Sequence, residues 1–173
     1  MPFDTYNVIM TGYTQEYKAI FMKSASLKKI IMAASIMVAA GYAGGALAHS
    51  AGATIDSDGN NASATDLAQV ICYDDGDGPA DHLYVTIQDN SPPVSGLLLS
   101  AQIFKDGQMT NVTDTVSGDA NSSPPAKISG GDGVYYLSVS KTATGARDFT
   151  VTYHCQTAAD VHTGTDITVL QGQ

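Results

Sequence analysis

The 173-residue chain has no tryptophan, two cysteines and only eight lysines and arginines, and its single glutamate is Glu16. Each scarcity excludes something. Eight basic residues against seventeen acidic ones, a formal charge of −9, exclude a nucleic-acid partner, because a phosphate backbone is held by clustered Lys and Arg. The near-absence of Glu, beside abundant Thr, Ser, Gly and Asp, removes the good surface helix formers and disfavours helix. Two cysteines without a CxxC spacing are too few for a thiolate metal centre; in an oxidising compartment they predict one disulfide, Cys72–Cys155. Long apolar runs are also missing. The stretch Ile30 to Tyr42 is too short to cross a hydrocarbon core, and Gly41, Gly44 and Gly45 break it.

What is present divides the chain. Residues 1–48 carry four Lys against Asp4 and Glu16, whereas residues 49–173 carry Lys105, Lys127, Lys141 and Arg147 against fifteen Asp. The basic part reads as an export signal over 22–48. Met22, Lys23, Lys28 and Lys29 form a positive start, 30–42 is the apolar segment, and Ala46-Leu47-Ala48 is a small-x-small cleavage site. The mixed residues 1–21 do not fit such a signal, and the expected start of translation is Met22. No cysteine follows the cleavage site to take a lipid, and Val169–Gln173 has no apolar tail. The expectation is therefore a cleaved signal helix, no remaining membrane anchor, and a periplasmic or extracellular acidic domain over 49–173.

That domain reads as all-β. Residues 67–73, 97–104 and 108–116 form apolar or Thr-rich runs. Residues 83–88, 134–140 and 149–155 carry alternating apolar positions, and 165–170 is expected to close the sheet. Gly, Pro and Asp clusters such as Asp74–Pro79, Asp106-Gly107 and Gly130–Gly133 separate them. Seven to eight short strands at this spacing predict a single β-sandwich, immunoglobulin-like or jelly-roll-like. Phe149, Val151, Tyr153 and Cys155 share one face, expected to be core, and the disulfide would join it to the buried face of the strand bearing Cys72. A tyrosine two residues before a cysteine also occurs in immunoglobulin-like domains, although the core Trp of those domains is missing. Asp66–Ala68 is expected to hold a short turn, and the Gly/Ala/Asn-rich stretch 49–63 to be partly mobile.

His49 is the most pointed candidate for chemistry. Cleavage after Ala48 makes it the first residue, and a free α-amine with the imidazole of the same residue chelates one metal ion. A second imidazole completes a three-nitrogen set that suits copper. His154, outward-facing on its strand, and His162, in the loop before the last strand, are the expected partners; if the N-terminal arm pairs beside the Cys155 strand, His154 is the natural one. His82 follows Asp81 at a strand start. Asp56, Asp58 and Asn60 resemble the first half of a calcium loop, but Leu67 stands where the closing bidentate Glu belongs. Asp74, Asp75, Asp77 and Asp81 read as turn residues. Tyr84 and Tyr136 fall opposite the core faces. No nucleophile elbow, HExxH helix or phosphate loop is present. The chain is expected to be a non-catalytic binding protein, with a structural or adhesive subunit of an extracellular assembly as the alternative. Its partner is then a metal ion, copper ahead of calcium, or another protein.

Overall fold

The computed structural model describes residues 49–173; the expected signal (22–48) and the segment before it (1–21) lie outside the described residues. Nine strands are present: β1 (Ser50–Ile55), β2 (Thr65–Tyr73), β3 (His82–Asp89), β4 (Leu99–Lys105), β5 (Gln108–Asp114), β6 (Ala126–Ser129), β7 (Gly133–Lys141), β8 (Arg147–Gln156) and β9 (Gly164–Gln171). They form two antiparallel sheets, ordered β1-β8-β3-β6 and β5-β4-β7-β2-β9. The first eight strands pair as a folded-over hairpin, first with eighth, second with seventh, third with sixth and fourth with fifth. Strand β9 adds to the outer edge of β2.

Seven of the strands lie where apolar runs or alternation place them. The other two, β1 and β6, are sheet edges of weak apolar character (SAGATI and AKIS), which periodicity alone does not reveal. The expected turn at Asp66–Ala68 is part of β2. The expected mobile stretch begins instead as β1, whose backbone is paired with β8 from Ser50↔Thr152 to Ile55↔Arg147. Pairing supplies the hydrogen bonds that the sequence of this edge does not advertise.

Between the sheets lie the inward faces of both, including Val70, Leu83, Ile87, Ile103, Tyr135 and Val151. Phe149, Val151, Tyr153 and Cys155 do share the buried face of β8. Cys155 is disulfide-bonded to Cys72 on β2, with Cα atoms 5.4 Å apart, so the bridge ties the two sheets together through their inner faces.

Two ion pairs are buried beside this core. Arg147 donates from Nε and Nη2 to Asp89 Oδ2 at 3.0 and 2.6 Å. Lys141 Nζ donates to Asp56 Oδ2 at 2.6 Å and to the carbonyls of Asn61 and Ala143. Asp56 sits just after β1 in the left-handed region (φ 54°), which aspartate tolerates. Its carboxylate also accepts the backbone N–H groups of Asn60, Asn61 and Gly145. The hydrogen bond from Lys141 is the main reason its pKa falls to about 2.

Candidate functional site: a histidine patch on the four-stranded sheet

The outward face of β8 carries Thr152 and His154, and the register of β3 sets Tyr84 directly beside His154. Two connections bring the other imidazoles there. Antiparallel pairing of β1 ends with Tyr153 N–H donating to the carbonyl of His49 at 2.9 Å, so His49 enters beside His154. The loop after β8 folds back through a bridge between Gln156 and His162, setting His162 over the same surface. The His154 ring is 4.1 Å from that of His162, in a stacked arrangement, and 6.1 Å from that of His49, edge to face. The Tyr84 ring lies 5.9 Å away on the remaining side.

His154 thus faces outward, as alternation requires, yet is only 6% exposed, because three rings cover it. Its Nδ1 and that of His49 are buried and have no hydrogen-bond partner among the described residues. Unpartnered buried nitrogens are costly, and here two occur on neighbouring rings whose centres are 6.1 Å apart. Burial, and then the charges that His162 and His49 would carry beside it, push the His154 imidazole down to about 4.

That shift has a sign. The unfolded imidazole binds a proton near pH 6.5 and the folded one near 4, so its contribution to stability is full above 6.5 and is lost as the pH falls towards 4. Asp56 remains ionised through that window. In the metal-free protein we expect urea midpoints to decline from pH 6.5 to 4, and His154→Phe to flatten the decline. An unchanged slope in the variant would place the acid sensitivity elsewhere.

The fourth histidine, His82, lies on the same outward face, two residues from Tyr84, but it is fully engaged. Nδ1 meets Asp81 Oδ2 at 3.0 Å, and Nε2 meets Gln156 Oε1 at 3.0 Å and Asp160 Oδ1 at 3.3 Å. Lys127 pairs with Asp160 at 2.7 Å and stands over the Tyr84 ring at 5.6 Å. The meeting of His82 with Asp160 and, through it, with Lys127 escapes sequence reasoning because it depends on strand register. The one available signal was that His82 and Tyr84 share parity.

The other candidates fall elsewhere. Asp56 is turned inward, where the Lys141 ammonium holds its carboxylate, while Asp58 and Asn60 are exposed; the three residues line a small polar cavity at the surface. Asp74 and Asp75 accept turn N–H groups from Gly76, Gly78 and Asp77. Among the described residues, no group of three or more His, Cys, Asp or Glu side chains is placed to hold a metal ion. His162 stacks flat against His154, which directs its nitrogens away from a shared point. What remains as a donor set is two imidazoles, His49 and His154, with the backbone nitrogen of residue 49.

Fold and patch together define a class: a two-sheet, all-β, disulfide-linked protein with an imidazole cluster on one sheet face. The chain matches no protein-family model, and neither the curated proteins nor the solved structures contain a match to it.

Proposed function

We propose that this is an exported, non-catalytic binding protein that holds one copper ion through His49 and His154. The carrying observation is the pair of buried, unpartnered Nδ1 atoms set together by β1–β8 pairing. Cleavage between Ala48 and His49 frees the α-amine, which closes a six-membered chelate with Nδ1 of the same residue; His154 supplies the third nitrogen. Three nitrogen donors in a T-shaped set favour copper over calcium, which takes oxygen. His162, stacked on His154, orients its ring. The buried disulfide agrees with export to an oxidising compartment. Of the two expected sandwich types, the first-to-eighth, second-to-seventh pairing supports the jelly-roll-like one.

The test is Cu²⁺ titration of a chain beginning at His49. We expect His49→Ala, His154→Ala and a chain retaining Ala48 each to lose affinity. His162→Ala should weaken binding by about 10–100-fold, as loss of an outer-shell partner does. Equal affinity in all of these overturns the copper reading.

A second reading, a structural or adhesive subunit of an extracellular assembly, draws on β1 and β9, whose free edges border the same side of the molecule. Concentration-dependent polymers by light scattering would favour it, and a monomer at all concentrations would count against it.

A further inference from the structure

On the side where β1 and β9 are both edge strands, the two sheets do not close over the core. The inward positions of β1 are Ala51 and Ala53, opposite Phe149 and Val151 of β8. These methyl groups are too small to meet Ile167 and Val169 of β9. A half-open slot of about 150 Å³ is left, with Leu137 and Val139 also among its apolar walls.

One carboxylate breaks the apolar lining. Asp66 lies on the inward face of β2, in step with Ala68 and Val70, and borders the slot. Other inward carboxylates of this protein have their partners. Asp56 has Lys141 and Asp89 has Arg147. Asp114 takes the backbone N–H groups of Asp89 and Val116. Asp66 accepts a single hydrogen bond, from the backbone N–H of Gln173 at 2.8 Å, and no cation among the described residues is paired with it. Partial burial raises its pKa above the ordinary carboxylate value. A partly desolvated carboxylate without a counter-charge among the described residues, at the edge of an apolar slot, is complementary to a cation that carries its own hydrocarbon.

We propose that this slot binds a small primary alkylammonium ion, with the hydrocarbon chain between β1 and β9 and the ammonium on the Asp66 carboxylate. The volume suits one short chain and is too small for a helix or a whole strand. Selectivity comes from two separable sources. Apolar area makes each added methylene worth about threefold to fourfold in affinity until the slot is full. The charge-assisted hydrogen bond to Asp66 separates an amine from an alcohol of the same length. The site shares no side chain with the histidine patch, so it stands or falls independently of copper.

Three ligands of one length test it in the metal-free protein: hexylammonium, 1-hexanol and hexanoate, titrated by calorimetry and followed by NMR shifts of the Ala51 and Ala53 methyl groups. We expect the ammonium to bind about tenfold or more tighter than the alcohol, and hexanoate to bind least. Asp66→Asn should bring the ammonium down to the level of the alcohol without altering alcohol binding. Ala53→Leu, which fills the slot, should abolish binding of both while the protein stays folded by its unfolding midpoint. Equal affinity of amine and alcohol, an amine preference that survives Asp66→Asn, or no binding of any ligand overturns the proposal. A fourth arm, the peptide acetyl-Val-Lys-Val-amide, separates a free amine from a lysine side chain. Tighter binding of the peptide than of hexylammonium makes the occupant a partner's lysine and overturns the small-molecule assignment.

Discussion

Replacing Arg147 by methionine is expected to lower the free energy of unfolding by about 3–5 kcal/mol, measured by urea denaturation at neutral pH. Arg147 is 2% exposed and Asp89 0% exposed. The guanidinium places two N–H groups on one carboxylate oxygen and a third, Nη1, on the carbonyl of Pro92 at 2.7 Å. Removal of the arginine leaves a carboxylate in the interior with only the Ser91 N–H on its other oxygen. The loss comes from that stranded charge more than from the missing attraction, because the intact pair already lost its hydration on folding. The double variant Arg147→Met/Asp89→Leu is therefore expected to recover most of the stability. A double variant as unstable as the single one would mean that the hydrogen bonds to Pro92 and Ser91 carry the effect.

The disulfide has an effect of similar size. Cys72 and Cys155 are separated by 83 residues, and closing a loop of that length restricts the unfolded chain by about 4–5 kcal/mol in the chain-entropy model, with about 2–5 kcal/mol usually measured. Cys72→Ala/Cys155→Ala should lower the urea midpoint accordingly. Both sulfurs are nearly inaccessible, at 1% and 0% exposure of their residues. Dithiothreitol should therefore reduce the native protein slowly and the urea-unfolded protein fast; equal rates would contradict the burial. Because the bridge holds β8 through the residue next to His154, the double variant also reports whether the histidine patch depends on a fixed β8.

Legibility in the sequence follows from how local each signal is. The alternation of Phe149, Val151, Tyr153 and Cys155 encodes both the strand and its buried side, since strand side chains repeat every two residues. The same parity sends His154 outward, which is correct for its direction and misleading for its exposure: His49 just before β1, Tyr84 of β3 and His162 of the loop before β9 cover it, and the first two are far away in sequence. β1 was invisible for a related reason. Ser-Ala-Gly-Ala-Thr carries no apolar periodicity, and only the open edge of β8 makes it a strand. Asp56 looks like a calcium ligand when read with its neighbours Asp58 and Asn60. The lysine that claims it is 85 residues away.

By itself, the sequence determined the all-β class, the face that alternating strands such as β8 turn to the core and the pairing of its two cysteines, because backbone parity, composition and a count of two leave little else available. Only the tertiary structure decided which outward residues meet. Register between β1, β8 and β3 gathers His49, His154 and Tyr84, and the turn after β8 adds His162. Those positions depend on long-range hydrogen bonding that no local pattern of side chains encodes.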